Sequence, residues 1–258
     1  MSNISKAFDH GKAFIAFLTC GDPDLDTTEK LIKVIADSGT DLIELGIPFS
    51  DPTAEGPVIQ NANMRALAGK VTTDKIFDMV YRVRKTVKIP MVFMTYANVV
   101  FSYGTDRFIK RASEVGMSGL ILPDVPFEEK EDFAPLCRRY GIELISLIAP
   151  TSNQRISMIA KEAAGFVYCV SSLGVTGVRN EISSDNIQNM IKLVRESTNI
   201  PTAVGFGISN ANQAAEMAKL ADGIIVGSAI VKIIEEHGRN AAPLVSEYVK
   251  TMKEAINS

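Results

Sequence analysis

The sequence predicts an α/β fold of the (β/α)8 type, a single-domain TIM barrel running over residues 1–258. Three observations carry that prediction. Eight short apolar runs recur along the chain, with helix-patterned stretches between them. The runs are continuous rather than alternating, which is the pattern of strands buried on both faces in an all-parallel sheet. Eight strand-then-helix units in 258 residues also match the size of such a barrel, about 250 residues. A doubly wound sheet is the runner-up. It usually has fewer strands and a glycine-rich first turn, whereas the first turn here, Thr19-Cys20-Gly21-Asp22-Pro23, has one glycine.

In chain order the predicted strands are Ala13–Thr19, Leu42–Ile47, Met91–Tyr96, Gly119–Pro123, Glu143–Ala149, Phe166–Val170, Thr202–Gly205 and Gly223–Val226. Between them apolar residues recur at helical spacing, as in Leu31, Ile32, Val34 and Ile35 before Gly39, and in Ile187, Met190, Ile191 and Val194. Asp26 or Thr27 is the expected N-cap of the first helix, and Ser209 or Asn210 that of a late one. No Pro/Gly/Ser linker or low-complexity tract divides the chain.

Composition excludes several classes of function. Lys plus Arg number 27 against 30 Asp plus Glu, a net charge of −3. With no basic block, that balance argues against binding nucleic acid or an anionic membrane. Hydrophobic residues make up 46% and charged residues 22%, as in a globule with a sizeable core. The stretch Met1–Gly21 lacks a cationic start followed by a long apolar segment, and Gly223–Ile234 is too short to span a bilayer. Cys20, Cys137 and Cys169 are odd in number and lack CxxC spacing, which fits a reducing compartment. The expectation is a soluble cytoplasmic protein. The two histidines, His10 and His237, have the flanks of helix ends, where histidine is a favourable cap. That leaves neither a histidine metal cluster nor a Ser-His-Asp triad.

In this fold the chemistry sits at the C-terminal ends of the strands. The second run, Asp41-Leu42-Ile43-Glu44-Leu45-Gly46, puts Glu44 where the chain should be buried. An ionised carboxylate there costs on the order of several kcal/mol unless paired, and no Lys or Arg lies inside any of the eight runs. One reading is a structural ion pair with a loop arginine. The favoured reading is an acid whose pKa desolvation raises, able to give and take a proton near neutrality. The following loop, Pro48–Pro57, is stiffened by prolines and brings Asp51 and Glu55 towards the mouth.

The seventh and eighth runs end in Gly205-Phe206-Gly207-Ile208-Ser209 and Val226-Gly227-Ser228-Ala229-Ile230. Glycine-rich loops at these two places, with a helix N-terminus, make a phosphate site in this fold. Gly207 and Gly227 let backbone N–H groups reach phosphate oxygens, and Ser228 adds a hydroxyl; neither loop contains Lys or Arg. The segment Ser171–Arg179 reads as a lid or an ordinary mobile loop. Lys12 and Lys88 precede the first and third strands, on the opposite face, which disfavours a Schiff-base aldolase. Without histidine ligands a metal-dependent aldolase is disfavoured too. What remains is a phosphorylated substrate handled by carboxylate acid–base chemistry. Phe17, Tyr96, Tyr168 and Phe206, near strand ends, either sandwich a flat apolar group or belong to the core.

The run Ile43-Glu44-Leu45-Gly46-Ile47-Pro48-Phe49-Ser50-Asp51-Pro52, with Gly56-Pro57 and Ile59-Gln60, resembles the signature of the tryptophan synthase alpha subunit family. The likeness continues through Gly21-Asp22-Pro23, Tyr96-Ala97-Asn98, Asp124-Val125-Pro126, Gly174-Val175-Thr176-Gly177 and Gly205-Phe206-Gly207-Ile208-Ser209, in order along essentially the whole chain. The resemblance implies a barrel enzyme that cleaves indole-3-glycerol phosphate to indole and glyceraldehyde 3-phosphate, with no cofactor of its own and no metal. It also implies a tryptophan synthase beta subunit as partner, in an alpha2beta2 heterotetramer, which joins the indole to serine. By the same resemblance Glu44 is the principal acid–base carboxylate, and Glu55 stands where the family typically has an aspartate that engages the indole N–H. Tyr168 and Thr176 correspond to residues supporting the site and closing its lid. Phe17, Tyr96 and Phe206 correspond to the indole-facing or neighbouring wall. Gly177, Gly207, Gly227 and Ser228 correspond to the phosphate cradle.

Two rivals remain at this level: a phosphosugar isomerase of the same barrel type, and a non-catalytic phosphate-binding subunit that regulates a partner. Retention of Glu44 argues against the second, because a chain without catalysis is free to lose so costly an acid.

Overall fold

A computed structural model of the chain describes residues 4–170, 184–205 and 207–258. Nine parallel strands are described: β1 Ala13–Thr19, β2 Leu42–Gly46, β3 Met91–Met94, β4 Gly119–Ile121, β5 Glu143–Leu144, β6 Ser146–Ile148, β7 Val167–Val170, β8 Thr202–Gly205 and β9 Gly223–Val226. They form one sheet in the order β5-β4-β3-β2-β1-β9-β8-β7-β6. The strand expected over Glu143–Ala149 is therefore two strands parted by Ile145. Its first half pairs with β4 and its second with β7. Ile145 packs in the inner cluster, and its N–H donates to the Leu120 carbonyl at 2.9 Å. The two edges of the sheet are thus joined through the chain itself, and the sheet curves into a nearly closed barrel with helices around it. The other strands agree with the sequence reading to within one or two residues, except at their C-terminal ends, where the chain leaves the ladder to form the site loops.

Side chains alternate between two layers because successive residues of a strand face opposite ways. Ile15 and Phe17 of β1, Val92 and Met94 of β3, Tyr168 and Val170 of β7, and Ile225 of β9 fill the interior. Their neighbours Ala16, Leu18, Phe93, Cys169 and Ile224 pack against the helices. The N-terminal end of the barrel is plugged by Ile4 with Ala7 and Phe8 of the short 3-10 helix Ser5–Phe8, the Phe8 ring lying 6.0 Å from Phe166.

The helices follow the apolar periodicity. In Leu25–Asp37, Leu31, Ile32 and Ile35 are buried and Val34 is half-buried, and Gly39 follows with φ +100°. In Ser184–Ser197, Ile187, Met190, Ile191 and Val194 are buried. The N-cap of the first helix is Asp24, whose carboxylate accepts from the Thr27 N–H at 2.8 Å; Asp26 and Thr27 already lie inside the first turn. Asn210, one of the two residues expected, caps Ala211–Leu220 and accepts from the Gln213 N–H at 3.0 Å. His237 closes the helix Ser228–His237, and His10 lies exposed just beyond the 3-10 helix. All three cysteines are buried free thiols. Among the described residues no helix is long and apolar enough to cross a membrane.

One element has the greatest bearing on the site. Gly56 and Pro57 start a helix, Pro57–Ala68, where proline suits the first position because its missing N–H would have no helical partner. Ile59 and Ala62 press it against the inner cluster. Arg65 anchors it, donating from Nε and Nη2 to the buried Asp22 at 2.8 and 2.9 Å and from Nη1 to Glu235 at 2.7 Å.

Candidate active site

A cavity of about 500 Å3 opens at the C-terminal ends of the strands. Glu44 is on its wall. In β2 this residue stands in register with Phe17 of β1 and Val92 of β3, an inward position, and it is 1% exposed. Among the described residues neither of its carboxyl oxygens has a hydrogen-bond partner, and no cation pairs with it. Burial pushes its pKa up to about 8, with a further push from the charge of Glu55. The ion-pair reading therefore finds no support among the described residues, and the proton-exchanging acid fits.

Glu55 lines the same cavity and is 6% exposed. Burial pushes it up to about 7, against the opposing effect of a hydrogen bond from Asn63. Asn63 Nδ2 donates to Glu55 Oε2 at 2.7 Å, and Gln60 Nε2 donates to the Glu55 carbonyl at 2.7 Å. Both donors come from the helix Pro57–Ala68. Asp51, by contrast, is exposed, takes a hydrogen bond from Ser50 Oγ at 2.5 Å and does not line the cavity.

Two aromatic rings flank the acids. Phe17 and Tyr168 line the cavity, and each has a glycine beside it that leaves room for the ring. A Cβ on Gly46 would lie 2.6 Å from Phe17 Cζ, and one on Gly205 would lie 2.6 Å from Tyr168 Oη. Burial raises the Tyr168 hydroxyl well above its ordinary pKa, and the charge of Glu44 adds to the rise. Tyr96 sits elsewhere. It is buried, stacks on Phe49 at 5.2 Å, and its hydroxyl accepts from the Ala54 N–H at 3.0 Å, so it braces the loop before Glu55 and is absent from the cavity wall.

Gly207, Gly227 and Ser228 line the cavity together. Gly207 has φ +84°, a conformation that favours glycine. Gly227 is the N-cap of Ser228–His237, so the free N–H groups of that helix start are at the cavity. Thr176, Gly177 and Phe206, and the proposed lid Ser171–Arg179, lie outside the described residues. Sequence reasoning missed three residues here. Lys232, one turn inside Ser228–His237, also lines the cavity; it was legible only by helical spacing from Ser228. Gln60 and Asn63 were legible only by recognising Gly56-Pro57 as a helix start. The lysines used to argue against a Schiff base lie as expected: Lys12 Nζ donates to the Ala221 carbonyl at 2.7 Å, away from the cavity lining.

Two buried carboxyls on an apolar wall, with a helix N-terminus opening on the same space, define an acid–base enzyme of the barrel class with a place for an anion. The comparisons agree. A family model described as tryptophan synthase alpha chain matches residues 4–257, and the chain belongs to that family. It is 44% identical over 258 residues to the tryptophan synthase alpha chain of Lacticaseibacillus casei, covering 100% of this chain and 97% of that one. It is 47% identical to that of Shouchella clausii, covering 98% and 94%. Among solved structures it superposes on Mycobacterium tuberculosis tryptophan synthase with a TM-score of 0.91 at 31% identity, covering 100% and 99%. With the alpha subunit from Legionella pneumophila the TM-score is 0.89 at 34% identity, covering 99% and 98%. The chain is accordingly a carbon–carbon lyase of tryptophan biosynthesis that cleaves indole-3-glycerol phosphate to indole and glyceraldehyde 3-phosphate.

Proposed function

We propose that Glu44 carries both proton transfers of this cleavage. Protonated Glu44 donates to C3 of the indole ring, which leaves the ring nitrogen cationic and Glu44 ionised. The Glu44 carboxylate then takes the proton of the glycerol hydroxyl next to the ring. As that C–O bond becomes a carbonyl, the bond to C3 breaks, and its electron pair returns to the ring and neutralises the nitrogen. Glu44 ends as it began, and no Schiff base or metal is required. Glu55, as the carboxylate, accepts a hydrogen bond from the ring N–H and favours the positive charge that develops there.

The observation that carries this reading is the buried Glu44 carboxyl, without a partner among the described residues, in a cavity shared with Glu55 and a helix start. A pKa of about 8 keeps Glu44 protonated at neutrality, the state in which the first transfer begins. Phe17 and Tyr168 hold the indole faces, Tyr96 braces the loop that carries Glu55, and Phe206 and Thr176 are assigned to the wall and the lid by the family likeness alone. The phosphate rests on the backbone of Gly177, Gly207 and Gly227 and the hydroxyl of Ser228.

The whole chain acts as one catalytic domain in the cytoplasm, with a beta subunit as its partner, assembled as an alpha2beta2 heterotetramer. The loop 48–56 docks on that partner, and ordering it sets Glu55 and excludes water from Glu44. Indole release from indole-3-glycerol phosphate, measured with and without saturating cognate beta subunit, tests the reading. Turnover rises on adding the partner; unchanged alpha kinetics at saturation refute the coupling, and absence of indole release in both refutes the mechanism.

A further inference from the structure

The geometry points to Asn63 as the positioning residue that holds the Glu55 carboxyl on the cavity wall and favours its charged form. This rests on the reading of Glu55 given above. Asn63 is itself 4% exposed, and a buried amide is retained at a cost unless its hydrogen bonds are made. Its Nδ2–H donates to Glu55 Oε2 at 2.7 Å, a charge-assisted distance. An amide donor of this kind stabilises the ionised form of a carboxyl over the neutral one.

Glu44 makes the contrast. Its two oxygens have no partner among the described residues, so burial acts on it unopposed. One side chain thereby distinguishes two nearly buried acids on one cavity: Glu55 has a donor that favours its charge, and Glu44 has none among the described residues. The mechanism needs that division: a proton on Glu44 and a charge on Glu55.

The support behind Asn63 is rigid. Gln60, on the same helix, holds the Glu55 backbone, and Arg65 ties the helix to the buried Asp22 and to Glu235. Glu235 belongs to the helix whose N-terminus opens on the cavity, so the acid and the anion end share one brace. Glu55 carries one more rotatable bond than an aspartate, and two grips from one anchored helix restrict that added freedom.

Among the described residues the charged and titratable groups around Glu55 are few. Glu44 of β2 acts on it, Tyr96 feels its charge from the loop after β3, and Tyr168 of β7 stands beside Glu44. Lys232, Glu236 and Tyr248 also line the cavity. The carboxylate of Glu55 takes its hydrogen bond from Asn63.

The test is a double-variant cycle in the full chain with its beta partner, using Asn63→Ala and Glu55→Ala. Asn63→Ala is expected to lower kcat at least about tenfold, the scale of a lost hydrogen bond to a charged group, with KM little changed. The acid limb of the kcat–pH profile moves to higher pH, because Glu55 loses the donor that favoured its charge. In the Glu55→Ala background the same change at position 63 has no further effect on kcat. Inorganic phosphate protects Asn63→Ala against thermal unfolding as it does the wild type, which shows a folded protein with its anion end intact. If Asn63→Ala alters the fold, Asn63→Ser, which keeps a shorter donor, is read in the same profile. A wild-type kcat and pH profile in Asn63→Ala, while Glu55→Ala is inactive, overturns the inference and leaves the reading of Glu55 standing. Equal losses from Asn63→Ala in both backgrounds also overturn it. An active Glu55→Ala refutes the reading of Glu55 itself.

Discussion

Two acids three residues apart, Asp41 just before β2 and Glu44 within it, have opposite surroundings. Asp41 stands at the N-terminal end of β2, where its Oδ2 accepts from the Phe14 N–H and from Lys253 Nζ, both at 2.7 Å. Glu44, one turn of the pleat further, has neither donor nor cation among the described residues. The same contrast separates the two ends of the barrel. At the N-terminal end Asp222 is held by Thr202 and Arg195, and despite the upward push of burial those bonds keep its pKa below the ordinary value. That end is also plugged by Ile4, Ala7 and Phe8. At the C-terminal end two carboxyls face open space with their pKa values pushed up. A fold that pairs its acids at one end and, among the described residues, leaves Glu44 without a partner at the other has given up stability at the second, which marks it as the working end.

The largest effect should come from removing the proton-exchanging group. Glu44→Gln is expected to keep the fold and the protection by phosphate while turnover falls by at least the ~10²–10⁴ of a lost general acid–base. A loss below tenfold in a folded variant breaks the contrast. The second test chooses between the loop acids. Glu55→Ala should lose most activity, Glu55→Asp should keep a substantial part, and Asp51→Ala should resemble the wild type in steady-state assays. An inactive Asp51→Ala beside an active Glu55→Ala would transfer the role to Asp51.

A smaller effect is expected at the anion end. Gly207→Val strains a backbone at φ +84° and crowds the approach to the N–H groups, so it should mainly raise KM. Glyceraldehyde 3-phosphate or inorganic phosphate should then protect this variant against thermal unfolding less than the wild type. Equal protection counts against the assignment of this loop.

The last prediction compares Asp41 and Glu44 by stability alone. Burial pushes the Glu44 pKa from the ordinary 4.5 up to about 8, so the folded state holds its proton longer than the unfolded state. Its contribution to stability is full below about pH 4.5 and is lost as pH rises through about 8. Wild-type Tm should therefore fall across that window more steeply than that of Glu44→Gln. Asp41→Asn tests the paired acid instead. It removes a paired charge, should cost about 1–3 kcal/mol, and should leave kcat unchanged. Thermal melts at several pH values check both, and parallel wild-type and Glu44→Gln curves would show that Glu44 does not titrate in the fold.

Much of this was written into local patterns. Apolar runs without alternation are the pattern of strands covered on both faces, and eight of them with helices between favoured the barrel over a doubly wound sheet. Glu44 was legible because an acid inside such a run is a local anomaly, visible without any knowledge of its neighbours. The glycines at 207 and 227 were legible because the fold class tells where an anion end belongs. Other features depend on groups that are remote in sequence. The break at Ile145 arises where a single run must pair with β4 on one side and β7 on the other, which no window of the chain reveals. Asp24 caps the first helix in place of the expected Asp26 or Thr27 because of where the chain turns extended, at φ −157°. The choice of Glu55 over Asp51 and the grip of Asn63 upon it belong to the tertiary structure for the same reason. Composition and spacing report whether a side chain is buried, but the partner that sets its charge is chosen by the packing of one element on another.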